Sequence, residues 1–131
     1  MAGRPDIPGK LLAAARKAAA RAHAPYSRFR VGAAVLADGA IVTGANVENA
    51  SFGLSLCAER AALAAAVASG KRKITHVAIA SPDAAPGTLV PCGACLQWIA
   101  ELAPEAEILV DGAERPYRLA DLLPKAFALR K

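Results

Sequence analysis

Apolar residues recur at intervals of three and four along residues 9–23, while most of the basic residues there lie off that face. This spacing is typical of an amphipathic helix with one buried side. The stretch Ala24-Pro25-Tyr26-Ser27 should end it, because proline cannot continue the backbone hydrogen bonding of a helix. The chain is therefore expected to open with a helix. The residues of its apolar face are Leu11, Leu12, Ala15, Ala18, Ala19 and Ala22.

Short apolar runs alternate with helical segments over the rest of the chain. Residues 31–36 and 41–45 flank Asp38-Gly39, a two-residue hairpin signal. Two further helices are predicted, over residues 57–70 and from residue 92 or 93 to 102. Three more strands are predicted over residues 74–80, 107–110 and 117–119, the last two around the turn Asp111-Gly112.

This order of elements indicates an α/β fold in which helices cover both faces of a sheet. We predict a three-layer α/β/α sandwich with a mixed five-stranded sheet. With 131 residues and no internal repeat or long linker, the chain is predicted to form a single domain over residues 1–131.

Composition narrows the choice of partners. Hydrophobic residues make up 55% of the chain and aromatic residues 5%, and the net charge is +5. The basic face of the first helix suits either phosphate or plain solvent, and we favour solvent and expect no nucleic-acid partner. No apolar run approaches the roughly 20 residues that span a bilayer, and the run at residues 11–15 is too short for a signal peptide. We therefore expect a cytoplasmic protein with no membrane partner.

The three cysteines lie at the predicted starts of two helices. Cys57 opens one, and Cys92 and Cys95 open the other within Pro-Cys-Gly-Ala-Cys. A catalytic zinc site has three protein ligands and one open position, which matches three cysteines better than a closed four-ligand site does. Helix N-termini also favour thiolates over thiols. The pattern predicts one Zn²⁺ per subunit.

Two residues beside the first cysteine suit chemistry at such a metal. Glu59 lies two positions after Cys57, so its carboxyl group can reach the open coordination position and act as a general acid and base. Three thiolates and one Zn²⁺ sum to a charge of minus one, which weakens the metal as a Lewis acid. Arg60 is placed to offset that charge by donating hydrogen bonds to a thiolate sulfur.

Other interpretations of the cysteines remain open at this point. A Cys-x-x-Cys pair alone also suits a thioredoxin-type redox site, although here it comes late in the chain and beside a third cysteine. A structural zinc module that binds nucleic acid through the first helix is a second alternative. Glu59 distinguishes it from an enzyme, because a structural site has no use for that carboxylate.

The combination of Cys-Ala-Glu-Arg with Pro-Cys-Gly-Ala-Cys matches the signature of zinc deaminases that act on nucleobases. Together with Ala24-Pro25-Tyr26-Ser27-Arg28-Phe29 and Asn46-Val47-Glu48-Asn49-Ala50, it closely resembles the small homotetrameric cytidine deaminases over nearly the whole chain. The resemblance implies hydrolytic deamination of free cytidine and 2′-deoxycytidine to uridine and 2′-deoxyuridine, in pyrimidine salvage. In that reaction a zinc-bound hydroxide attacks C4 and Glu59 shuttles the proton.

The same resemblance implies roles for five substrate-binding residues. Phe29 would pack on the pyrimidine, Asn46 and Glu48 would bind the sugar 3′-hydroxyl, and Ala58 would donate its backbone N–H to the ring carbonyl. Phe127 would enter the site of a neighbouring subunit in a homotetramer with shared sites.

Two positions depart from the family pattern: Leu96 stands where arginine is common, and Phe52 where tyrosine is frequent. The departures leave the metal ligands and Glu59 in place. The alternative within this chemistry is another cytosine-bearing substrate, such as a nucleoside antibiotic or a base in a nucleic acid.

Overall fold

A computed structural model describes residues 6–129 as four helices and four strands with one 3₁₀ turn. The helices are α1 (Ile7–Ala19), α2 (Ala58–Ala68), α3 (Gly93–Leu102) and α4 (Leu119–Leu122), and the strands are β1 (Gly32–Ala37), β2 (Ala40–Ala45), β3 (Ile74–Ala80) and β4 (Glu107–Val110). The 3₁₀ turn covers Phe52–Leu54. Within residues 6–129, no helix combines the length and the apolar character that crossing a membrane requires.

The four strands form one mixed sheet in the order β2-β1-β3-β4. β1 pairs antiparallel with β2 and β3, and β3 pairs parallel with β4. The predicted hairpin is confirmed: at the turn, Asp38 and Gly39 both have positive φ, at 49° and 78°. Such values suit the two-residue turns that match the twist of paired strands.

The predicted fifth strand, over residues 117–119, is wrong. Tyr117 makes a single antiparallel bridge with Ile108, and the chain then enters α4 at Leu119. The bridge cannot extend because Asp121 accepts a hydrogen bond from the Arg118 N–H at 2.7 Å, which fixes the start of the helix. On the β4 side, the chain turns after Val110, whose carbonyl oxygen accepts a hydrogen bond from the Ala113 N–H.

Helices cover both faces of the sheet, so the three layers are as predicted. One face packs on α1 through a small cluster that includes Leu11 and Ala34. The other face packs on α2 and α3 through a larger cluster that includes Val35, Leu63 and Ile99.

Glycine allows α2 to lie directly on the sheet. A Cβ at Gly44 in β2 would stand 2.5 Å from the Ala62 nitrogen and 2.8 Å from the Ala58 oxygen. Both atoms belong to the helix backbone, so no side-chain adjustment can make room. The close contact fixes the N-terminal end of α2, where Cys57 and Glu59 lie.

Candidate active site and metal centre

The N-termini of α2 and α3 bring the three cysteines together. Cys57 caps α2 and Cys92 caps α3, both with extended backbone, and Cys95 lies in the first turn of α3. All three Sγ atoms lie within 4.8 Å of one another, and those of Cys57 and Cys92 are 3.7 Å apart. Two segments distant in sequence thus present three sulfur atoms to one point.

This cluster fits a zinc ion. Tetrahedral zinc with bonds of about 2.3 Å to sulfur places its sulfur ligands about 3.8 Å from each other. The separation between Cys57 and Cys92 is close to that value. Thiolates are ligands that zinc prefers, and three of them leave one position for a water or a substrate.

Arg60 acts on the cluster from α2. Its Nη2 donates to the Cys57 Sγ at 3.3 Å. Hydrogen bonds from Cys95 and then from Arg60 lower the pKa of Cys57 to about 5, although burial acts in the opposite direction. The contact with Arg60 thus favours the thiolate form of Cys57, which is the form that binds a metal.

Glu59 is the buried charged residue of the site. Its side chain is 4% exposed, and burial raises its pKa to about 7. A carboxyl group with this pKa both takes up and releases a proton readily at neutral pH. That property is what a general acid and base requires.

A cavity of about 310 Å³ opens in front of Glu59 and the cysteines. Its lining includes seven residues predicted from the sequence: Phe29, Asn46, Glu48, Cys57, Ala58, Glu59 and Cys92. Cys95 is fully buried behind the wall. Among the residues that the structure describes, those that line this cavity do not include Phe127, which is 69% exposed.

The amide of Asn46 binds the Phe29-Arg30-Val31 segment of the cavity lining at two points. Its Oδ1 accepts from the Val31 N–H at 2.8 Å, and its Nδ2 donates to the Phe29 carbonyl at 2.8 Å. Each end of the amide still has capacity for one more hydrogen bond. Asn46 therefore fixes the backbone around Phe29 and keeps groups available for a ligand.

Glu48 is held against the same segment. Its Oε1 accepts from the Tyr26 and Ser27 N–H groups, both at 3.1 Å, and its Oε2 accepts from the Ser27 hydroxyl. The hydrogen bonds from Ser27 lower the pKa of Glu48. The cavity therefore contains a carboxylate that is ionised at neutral pH.

Comparison with known proteins decides the family. The family model of the cytidine and deoxycytidylate deaminase zinc-binding region matches residues 7–110. A cytidine deaminase of Mycobacterium tuberculosis strain H37Rv is 48% identical over 127 residues, which cover 95% of this chain and 93% of that protein. The chain belongs to the zinc-dependent cytidine deaminase family. Another relative, the cytidine deaminase of Halalkalibacterium halodurans, is 44% identical, with 81% of this chain and 83% of that protein covered.

Solved structures of cytidine deaminases have the same fold. The crystal structure from M. tuberculosis superposes with a TM-score of 0.83 at 46% identity, covering 92% of this chain and 97% of that one. The structure from Burkholderia pseudomallei superposes with a TM-score of 0.81 at 43% identity, covering 91% and 98%. The chain is thus a zinc-dependent deaminase, and its three thiols fit one zinc ion per subunit.

The two positions that the sequence analysis singled out as departures, Leu96 and Phe52, lie in different surroundings. Leu96 is 6% exposed and packs in the core on α3. Phe52 is 74% exposed, and its ring lies edge-on to Tyr26 with centroids 5.9 Å apart.

Sequence reasoning missed the loop that forms the far wall of the cavity. Leu89 and Val90 line it, next to Cys92. Leu89 also packs against the larger core cluster, so its apolar character alone did not indicate a cavity wall.

Proposed function

We propose that this enzyme hydrolyses free cytidine and 2′-deoxycytidine to uridine and 2′-deoxyuridine. One water molecule is consumed, the bond from C4 to the exocyclic nitrogen breaks, and ammonia leaves. The observation that carries the proposal is the position of Glu59: a buried carboxyl group with a pKa of about 7 lines the same cavity as Cys57 and Cys92.

Cys57, Cys92 and Cys95 would hold the metal. Zinc, when bound, supplies a nucleophile at neutral pH by lowering the pKa of a water molecule. Glu59 would take up the first proton of the attacking water and give it to N3 of the ring. It would then take the proton of the new C4 hydroxyl group and give it to the amine, which leaves as ammonia while the C4 carbonyl forms. Glu59 is 4% exposed and lines the cavity, so its carboxyl group can reach a bound substrate while having little contact with bulk water.

The remaining cavity residues suit a pyrimidine nucleoside. Phe29 would pack on the face of the base, and the N–H of Ala58, at the start of α2, would donate to the ring carbonyl. That N–H belongs to the first turn of a helix, where backbone N–H groups lack intrahelical partners. Asn46 and Glu48 would bind the sugar 3′-hydroxyl with their remaining hydrogen-bonding capacity.

The charge of Glu48 favours a free nucleoside over a nucleic acid. A carboxylate accepts a hydrogen bond from a 3′-hydroxyl but repels a phosphate attached to the same oxygen. The lowered pKa of Glu48 keeps this repulsion present at neutral pH. We therefore rank polynucleotides and 3′-nucleotides below cytidine.

A substrate panel tests this ranking. Ammonia release is measured with cytidine, 2′-deoxycytidine, 2′-deoxycytidine 3′-monophosphate and a cytosine in single-stranded DNA. We expect rapid release from the first two and at least about tenfold lower kcat/KM for the 3′-phosphate, which corresponds to about 1.4 kcal/mol. Preference for the phosphate or the DNA would overturn the proposal.

We further propose a homotetramer in the cytoplasm, acting in pyrimidine salvage, in which Phe127 completes the site of a neighbouring subunit. The exposure of Phe127 and its position outside its own cavity support this arrangement. Mixing Phe127→Ala subunits with Glu59→Gln subunits tests it. If sites are shared, mixed oligomers regain activity that neither variant has alone, and no gain would argue for self-contained sites.

A further inference from the structure

The Phe29-Arg30-Val31 segment is held from two directions. Asn46 binds the carbonyl of Phe29 and the N–H of Val31. The peptide groups of Arg30 between them are bound by the loop after β3: Asp83 Oδ2 accepts from the Arg30 N–H at 2.9 Å, and the Ser81 hydroxyl donates to the Arg30 carbonyl at 2.5 Å. Successive backbone groups of an extended chain point to opposite sides, so the two sets of bonds do not compete.

The side chain of Arg30 also binds the loop after β3. Its Nε donates to Asp83 Oδ2 at 2.9 Å and its Nη2 to Oδ1 at 3.0 Å, which is a bidentate pair. The Asp83 N–H in turn donates to the Ser81 hydroxyl at 3.1 Å. We call Arg30, Ser81 and Asp83 the Arg30 clamp.

The Arg30 clamp joins two walls of the cavity. Phe29 and Val31, which flank Arg30, line the cavity, and so do Leu89 and Val90, further along the loop from Asp83. We call these two parts of the lining the Phe29 wall and the Leu89-Val90 wall. The same loop leads to Cys92. Hydrogen bonding from the Arg30 side chain lowers the pKa of Asp83 to about 2, so the carboxylate is ionised at neutral pH.

We propose that Arg30 and Asp83 are positioning residues that set the distance between the Phe29 wall and the Leu89-Val90 wall, and so set the affinity for the pyrimidine ring. The proposal rests on the function proposed above, because it assumes that the base lies between these walls. Neither Arg30 nor Asp83 lines the cavity, so the effect should fall on binding and not on the chemical step.

The alternative is that the pair only stabilises the loop. Exposed ion pairs contribute little to stability, and the side chains of Arg30 and Asp83 are 47% and 25% exposed. The chain offers a matched control of this kind: Arg16 Nε and Nη2 make a bidentate pair with Asp111, at 2.9 and 2.6 Å. That pair joins α1 to the end of β4, away from the cavity.

Steady-state kinetics with cytidine tests the proposal on Arg30→Ala, Arg30→Lys, Asp83→Asn and the control Arg16→Ala. We expect KM to rise about fivefold in Arg30→Ala and Asp83→Asn with kcat within a factor of two, the pattern of lost uniform binding. Arg30→Lys, which keeps the charge but not the fork, should recover part of the loss. Arg16→Ala should leave KM unchanged.

Hydrogen–deuterium exchange on the same zinc-loaded proteins gives a readout that needs no substrate. The peptides that contain residues 28–31 and 82–91 should exchange faster in Arg30→Ala but not in Arg16→Ala. An unchanged KM would overturn the proposal, whether or not exchange in these peptides rises. If these peptides exchange slowly in the wild type and faster in Arg30→Ala, but the wild type does not deaminate cytidine, the proposed function is rejected instead.

Discussion

The guanidinium of Arg60 lies against the thiolate of Cys57, with Nη2 3.3 Å from Sγ. This contact places a positive charge beside a metal site whose three thiolates outweigh the charge of Zn²⁺. A donor of this kind draws electron density from the sulfur and leaves the metal a stronger Lewis acid.

Arg60→Gln should therefore lower kcat by about tenfold while zinc stays bound, within the range seen for such partners of metal ligands. Arg60→Lys should lose less, because the charge remains. Kinetics and zinc analysis on the same preparation check this, with Arg21→Gln, at an exposed position in the turn after α1, as the control. Full activity in zinc-loaded Arg60→Gln would show that the contact is only structural.

The close contact between β2 and α2 predicts that even a methyl group in place of the Gly44 hydrogen destabilises the fold. In Gly44→Ala, the new methyl group meets the helix backbone at Ala58 and Ala62. The helix must move, which should lower the free energy of unfolding by about 1–3 kcal/mol and reduce activity because Glu59 moves with it.

Denaturant unfolding measures the effect of Gly44→Ala. Gly53→Ala is the matched control, since a Cβ at Gly53 has nothing within 4 Å. Equal stability of the two variants would contradict the close packing of β2 on α2.

The pair of Arg16 and Asp111 predicts a pH dependence of stability. Hydrogen bonding from Arg16 lowers the pKa of Asp111 in the folded protein. Its stabilisation is therefore complete above the unfolded value of about 3.9 and is lost as pH falls through the folded value.

The pair is largely exposed, so it should contribute no more than about 1 kcal/mol to the free energy of unfolding. The Tm of Asp111→Asn should therefore lie a few degrees below that of the wild type at pH 6. The difference in Tm should shrink only as the pH falls below the unfolded value of about 3.9 and through the lower folded pKa of Asp111. A difference that persists unchanged at low pH would show that charge is not its source.

Much of the fold follows from local signals in the sequence. The hairpin turn at Asp38-Gly39, the cap positions of Cys57 and Cys92 and the bounds of β3 all lie where the pattern predicts. The fifth strand was predicted wrongly because Tyr117 has strand character, yet the cap that Asp121 provides starts a helix two residues later. Strand propensity over three residues is weaker than such competing hydrogen bonds.

The residues that carry the chemistry of the site could be predicted from the sequence, but the hydrogen bonds that hold the cavity lining in place could not. Spacing and residue type identify the three cysteines and Glu59. Other contacts depend on how the loops cross the sheet. They are the bonds of Asn46 to the backbone of Phe29 and Val31, and the pairing of Arg30 with Asp83 across 53 positions. A single sequence has no local signal for contacts of that kind.

Ammonia release from cytidine, measured beside zinc content for the wild type and Glu59→Gln, tests the central claim most directly. The glutamine keeps the size of the side chain but cannot carry the proton. We predict rapid release by the wild type and at least about 100-fold slower release by the variant with zinc stoichiometric in both. Comparable release by zinc-loaded Glu59→Gln would contradict the account.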